Sequence, residues 1–233
     1  MIDIINGIGQ GDPISMLLYI IYNTDLFEIT GNNIFEDTLG YMDDIAIIAI
    51  GNSFKETTAR LREVMVRQDR CLDWSKVHNS HFEITKSAVL HTTRRTVIDL
   101  EDNSQRTPLE RPPLEINGQV IREVQIIKYL GILINAQLRW KEQTQRAVAN
   151  ATKWLLQYRR LTRPSSGTST KLMRQLYVAV ALPKFMYGID IWYTPPSKRA
   201  RQTKNSRSSA ALCQLQKNQR IATLAIVGTL RSF

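Results

Sequence analysis

Two adjacent carboxylates, Asp43 and Asp44, interrupt a stretch that otherwise reads as β-structure. Residues 34–39 precede them and the apolar run Ile45-Ala46-Ile47-Ile48-Ala49-Ile50 follows. Two strand-like runs around a short polar break predict a hairpin whose turn carries the acids. Burying both carboxylates unpaired would cost far more than such strands gain, so they must reach water or a cation. Asp also suits tight turns, because it hydrogen-bonds its own backbone. Tyr41-Met42-Asp43-Asp44 alone therefore fits a plain turn or a cation-binding tip. A tip with two Asp side chains suits Mg²⁺, which takes hard oxygen ligands in octahedral geometry, and two-metal phosphoryl transfer.

The distribution of charge favours the second reading. Net charge over the 233 residues is +10. Residues 1–138 carry 13 Lys/Arg and 19 Asp/Glu, a net of −6, whereas residues 139–233 carry 18 Lys/Arg and only Glu142 and Asp190, a net of +16. An acidic half that holds cations beside a basic half that tracks phosphates fits work on nucleic acid. A solvated basic surface, or an acidic protein partner, is the plainer alternative.

At 43% hydrophobic residues the chain has ample material for a core, in one large domain or two small ones. No apolar run approaches the roughly 18 residues of a membrane span. The opening Met1-Ile2-Asp3-Ile4 lacks the basic and long apolar segments of a secretory leader, which predicts an intracellular protein of the nucleus and cytoplasm. Cys71 and Cys213 fit no metal or redox spacing and read as packing residues in a reducing compartment. His78, His81 and His91 likewise follow no metal-ligand spacing and read as surface or packing residues. Gly7, Gly9 and Gly11 alternate, but a dinucleotide fingerprint needs glycine where Asp12 stands, and no Walker sequence is present.

Along the chain, Asp12 is placed to cap a helix with Pro13 in its first turn. Residues 15–29 are apolar on most sides, which predicts one buried helix ended by Gly31-Asn32-Asn33. Residues 54–78 predict a long amphipathic helix, with Leu61, Val64, Met65, Gln68 and Leu72 at helical spacing. Residues 82–90 and 114–121 read as strands, with a polar loop at 99–113 and a hairpin turn at Asn117-Gly118. Residues 125–134 read as two strands broken at Gly131. Helices follow. Ala147, Ala151, Trp154, Leu155, Tyr158 and Leu161 share one face, with Arg146, Lys153, Arg159 and Arg160 largely off it. Residues 164–169 form a loop, and a helix over 170–182 is interrupted at Pro183 and resumes over 185–192. Residues 195–209 are a basic linker containing Lys198, Arg199 and Arg201, and a last helix covers 210–227.

Gly9-Gln10-Gly11-Asp12-Pro13-Ile14-Ser15, followed about thirty residues later by Tyr41-Met42-Asp43-Asp44, resembles the reverse transcriptases of non-LTR, LINE-like retrotransposons. Phe82-Glu83-Ile84-Thr85-Lys86-Ser87 and Lys128-Tyr129-Leu130-Gly131-Ile132 are similar to later elements of the same family. The stretch through Leu138, Trp140, Leu176-Tyr177, Leu182-Pro183, Tyr187-Gly188 and Trp192 resembles its thumb. The resemblance covers nearly the whole chain and rests mainly on the first two motifs together. It implies an α+β fold: a partial polymerase palm over 1–137, a helical thumb over 138–194, the basic linker at 195–209, and a C-terminal helix over 210–233.

The resemblance also implies an RNA-directed DNA polymerase that adds nucleotides to a primer 3′ end with two Mg²⁺ ions. RNA template, DNA primer and deoxynucleoside triphosphates are then its partners. Asp43 and Asp44 become the metal ligands, with Asp43 the stronger candidate, and Lys86 stands near the leaving pyrophosphate. Gln10, Gly11, Asp12 and Pro13 shape the template and nucleotide pocket, and Tyr41 and Met42 lie near the primer terminus. Tyr129, Leu130 and Gly131 position the primer. Lys153, Arg159, Arg160, Lys198, Arg199 and Arg201 contact nucleic acid.

The family places a further essential Asp on a palm strand, and a fingers region, ahead of the Gln-Gly-Asp-Pro loop. Asp3 is the only acid before Gly9 and stands too close to the loop for that role. The expectation is therefore a palm-and-thumb fragment that works with a missing N-terminal palm and fingers segment and binds metal weakly by itself. A truncated, catalytically silent copy that keeps only nucleic-acid binding is the alternative. An interaction module that borrows the fold is a third.

Overall fold

The computed structural model describes residues 12–30, 33–98, 106–107, 109–161, 167–193 and 209–227. The chain divides into two compact units, Met1–Leu130 and Gly131–Phe233. Helices and short strands mix in an α+β arrangement, and among the described residues the strands pair only in twos.

The first unit begins with α1 (Pro13–Tyr22) and the single turn α2 (Thr24–Phe27). Asp12 caps α1 as its position predicts, its Oδ1 accepting from the Ile14 amide at 3.0 Å, and Pro13 occupies the first turn. The single buried helix expected over 15–29 is corrected on two counts. The helix stops at Asn23, where the buried asparagine leaves helical geometry and α2 restarts. In α1 only Ser15 is buried, while Ile14, Leu17 and Ile21 are 61%, 62% and 69% exposed. At its end, the Tyr22 ring lies edge-on to Trp74 and His78, and its hydroxyl donates to the His78 carbonyl.

Next comes the hairpin of β1 (Glu36–Tyr41) and β2 (Asp44–Ala49), shifted by about two residues from the expected first strand. The long helix expected over 54–78 is two helices, α3 (Phe54–Val66) and α4 (Cys71–Val77). The apolar spacing is continuous, but Asp69 takes the left-handed backbone region and the Asp73 carboxylate accepts from its amide at 3.2 Å, so the chain turns and restarts. Leu26, Ile29, Val64, Cys71 and Trp74 form one core cluster, with Ile45, Ile47, Met65 and Phe82 against it. Each such side chain contributes about 1.5–3 kcal/mol by leaving water. Burial pushes the Cys71 thiol up to about 11.

The strand expected over 82–90 is mostly not one. Residues Ile84–Lys86 form a 3₁₀ turn and only β3 (Ala88–Val89) is extended. β4 (Val97–Ile98), just before the expected loop, pairs with β5 (Arg106–Thr107) inside it. Asn117 and Gly118 make the predicted turn, both with positive φ, between β6 (Glu115–Ile116) and β7 (Gln119–Val120). Then β8 (Arg122–Glu123) runs parallel to β3, and β9 (Ile126–Tyr129) ends the unit. Val89, Leu114, Ile116 and Ile121 form the second core cluster.

The second unit opens with β10 (Ile132–Asn135) and the long α5 (Lys141–Leu161). Ala147, Ala151, Leu155 and Tyr158 are buried, as the predicted face requires, but Leu161 is exposed. Pro183 does not interrupt the next helix where expected. Its missing amide and bulky ring cannot be accommodated by a regular preceding turn. The chain after α6 (Thr170–Leu176) widens into a π turn over Tyr177–Ala181, and the Leu182 amide donates to the Tyr177 carbonyl. α7 (Leu182–Phe185) follows, and the break comes later, at Gly188 with φ 61, before α8 (Ile189–Trp192). α9 (Ser209–Val227) starts within a residue of expectation. Leu155, Tyr177, Ala181 and Ala222 make this unit's core. Gly31 and Asn32, residues 164–166 of the expected loop, and all of the basic linker except Ser209 lie outside the described residues.

Candidate functional site

The acidic pair stands at the tip of the β1–β2 hairpin. Tyr41 pairs with Asp44, so Met42 and Asp43 alone make the turn. Met42 has φ 54. A positive φ at the first central position of a two-residue hairpin normally belongs to glycine. Methionine there costs about 1 kcal/mol or more, which the surrounding hairpin must offset.

Side-chain alternation sorts the rest. Ile45 and Ile47 pack on the core, so Asp44, Ala46 and Ile48 point to the opposite face. Their partners there are Tyr41, Leu39 and Asp37. That face is open: Leu39 is 45% exposed and Tyr41 55%. Asp43 and Asp44 are both exposed. Water therefore solvates the two carboxylates, and they are free to take a cation.

Tyr129 on β9 joins this site. Its hydroxyl donates to the Leu39 carbonyl at 3.2 Å. Burial raises the phenol's pKa, and the Asp44 charge adds to the rise. The structure thus brings Tyr41, Met42, Asp43, Asp44 and Tyr129 together. Phe27, which no sequence pattern singles out, belongs with them: a Cβ on Gly40 would overlap the edge of its ring, with Cζ at 2.6 Å. A bare aromatic beside a glycine carries no periodic or motif signal.

Other expected residues sit elsewhere. Lys86 is exposed and pairs with Glu83 at 2.5 Å, a contact that lowers the Glu83 pKa. Asp12 spends its side chain on the α1 cap, and Pro13 begins that helix. Leu130, with φ 45, closes the first unit. Gly131, with φ 82, opens the second, where its carbonyl accepts from Arg146 Nη1 at 3.0 Å and its Cα faces the Tyr187 ring. Lys153 and Arg160 are exposed on α5. Gln10, Gly11, Lys198, Arg199, Arg201 and the Arg159 side chain lie outside the described residues.

Among the described residues, no group of three or more His, Cys, Asp or Glu side chains gathers at one point. As a donor set, Asp43 and Asp44 fit Mg²⁺ in kind, both being hard carboxylate oxygens, and supply part of an octahedron. The ion pairs among the described residues all lie in the first unit, such as Arg60–Glu56 at 2.9 Å and Arg111–Glu123 at 2.7 Å. No helix among the described residues is long and apolar enough to cross a membrane.

Two known proteins match much of the chain. The probable RNA-directed DNA polymerase from transposon BS of Drosophila melanogaster is 24% identical over 191 residues. The RNA-directed DNA polymerase from mobile element jockey of the same fly is 23% identical over 198 residues. The chain is similar in sequence to RNA-directed DNA polymerases of transposable elements. Each match takes in 80% of this chain, and the chain spans about a fifth of the length of these curated relatives. No family model matches it, and no solved structure does.

Proposed function

We propose that the chain is the second half of a reverse-transcriptase palm together with its helical thumb, and that it adds nucleotides to a primer as part of a longer polypeptide. The observation that carries this reading is the exposed Asp43–Asp44 pair on a two-residue turn, in a chain similar to RNA-directed DNA polymerases. Asp43 and Asp44 would hold Mg²⁺, which when bound supplies Lewis-acid stabilisation of the charge developing on the transferred phosphoryl group. Tyr41, on the same face as Asp44, would support the primer end. Lys86, freed from Glu83, would lie towards the nucleotide phosphates. Residues 139–233, with 18 basic side chains against two acids, would track the template–primer backbone.

The apolar surface of the first unit supports the dependence on further polypeptide. A helix apolar on all sides belongs in a core. With Ile14, Leu17 and Ile21 exposed, α1 lacks the cover that such a helix needs. In the longer polypeptide, a palm and fingers segment would supply that cover, and with it a further carboxylate. Two ions about 3.5–4 Å apart require more negative charge than two Asp provide.

A second reading has its own observation. The acidic tip shows no third ligand among the described residues, and among them no ion pair engages the basic half. A catalytically silent copy would keep nucleic-acid binding alone. Primer extension on an RNA template with Mg²⁺, comparing the longer polypeptide with its Asp43→Ala variant, separates the two. Extension lost in the variant with template binding retained supports the polymerase. Absence of extension in both, with salt-sensitive binding, supports the silent copy.

A further inference from the structure

We infer that Phe27 and Tyr129 are positioning residues for the Asp43–Asp44 turn, holding the β1 strand that carries it by two independent contacts. This rests on the reading of those carboxylates as metal ligands, and it assigns Tyr129 to the hairpin rather than to the primer.

The first contact is a close approach. Gly40 lies one residue before Tyr41 and pairs with Ile45, which packs on the core. A Cβ at this position would meet Phe27 Cζ at 2.6 Å and Cδ1 at 2.7 Å, far inside ordinary contact. Gly40 is not among the residues with positive φ, so the demand for glycine is space and not backbone conformation. The α2 turn, anchored by fully buried Leu26, thus sets how deeply the end of β1 sits.

The second contact is a hydrogen bond. Tyr129 is ninety residues away in sequence and donates its hydroxyl to the carbonyl of Leu39, the residue before Gly40. Leu39 pairs with Ala46 and so lies on the same face of the hairpin as Asp44. Two elements distant in sequence therefore grip adjacent residues, and the turn two residues on inherits their position. A strained Met42 needs such support, because nothing in its own backbone preference favours φ 54.

Amide hydrogen exchange by NMR on the whole chain tests this, with the Met42 ε-methyl resonance as a probe of the turn. Gly40→Ala should displace that resonance and speed exchange between residues 39 and 46 about tenfold, while Val64 and Leu114 keep their rates. Adding Gly40→Ala to Phe27→Ala should change those rates by less than about twofold, since the obstructing ring is gone. Tyr129→Phe, which deletes one oxygen, should speed the same amides about fivefold. It also decides the matter for the hydroxyl if Gly40→Ala unfolds the chain. Unchanged exchange in Tyr129→Phe removes Tyr129 from the role. A Gly40→Ala effect undiminished without Phe27 removes Phe27. None of these signals reads metal or activity. Failure to broaden the Asp43 and Asp44 resonances with Mn²⁺ would instead count against the ligand reading alone.

Discussion

The two units solve the problem of burial differently. The first pins short strands and two helices around Leu26, Val64, Cys71 and Trp74, yet leaves α1 and the outer face of the acidic hairpin uncovered. The second packs long helices through small residues, Ala147, Ala151, Ala181 and Ala222, so backbones approach closely around Tyr158 and Tyr177. Charge follows the same division. The first unit pairs its ions with one another, as in Arg67–Glu63 and Arg111–Glu123. The second has almost no acids to pair with. A surface that lacks counter-charges is suited to phosphates, and one that lacks apolar cover is suited to more polypeptide.

The largest expected effect separates chemistry from binding. In the longer polypeptide, Asp43→Ala should lower nucleotide addition by about a thousandfold or more, because a lost metal ligand removes several kcal/mol of charge stabilisation. Template affinity, measured by fluorescence anisotropy, should change by less than about threefold. An equal loss in both would place Asp43 in binding and break the division of labour.

Stability should divide in the same way. Tyr158 is 1% exposed and donates to the Met173 carbonyl at 3.2 Å. Its replacement by Ala should cost about 3–5 kcal/mol, read by urea unfolding, in line with other large aromatic truncations. Ile21→Ala on the exposed α1 should change stability by less than about 0.5 kcal/mol in this chain. A large loss at Ile21 would mean that α1 is covered after all.

Binding to single-stranded RNA at increasing salt sharpens the contrast further. Lys153→Gln with Arg160→Gln should weaken affinity on every sequence alike and reduce the log–log salt slope by about 1.5. An unchanged slope would remove α5 from the footprint.

The smallest effect is a pH dependence within the first unit. His91 is 4% exposed against the Phe54 ring at 4.9 Å. Its pKa is lowered, chiefly because burial disfavours the cation, with Arg111 adding to the shift and Glu123 opposing it. The unfolded chain therefore binds a proton that the folded chain resists. Stability should fall as pH drops below about 6.5, the unfolded histidine value, and level off below the folded one. Thermal melts from pH 7.5 to 5 on His91→Gln should lose that part of the slope.

Much of the local structure could be read directly. The Asp12 cap, the Asn117-Gly118 turn, the strands on either side of Asp43–Asp44, the buried stripe of α5 and the start of α9 all follow from short-range chemistry. These are decisions that neighbouring residues make among themselves. The similarity to RNA-directed DNA polymerases also resides in sequence, in residue order that no solved structure yet supplements.

Tertiary structure decided what periodicity cannot express. The pattern over 54–78 favours one helix, but the left-handed Asp69 and the core position of Cys71 and Trp74 divide it. The apolar run after Asp12 favours a buried helix, yet burial is a relation to other segments, and the apolar side chains of α1 stay exposed. The site shows this most plainly. Asp43 and Asp44 announce themselves, whereas Phe27 against Gly40 and Tyr129 on the Leu39 carbonyl join residues 13 and 90 positions apart. Sequence specifies the groups at the turn. Only packing over such distances determines what holds them there, because a contact between remote residues leaves no local pattern in either.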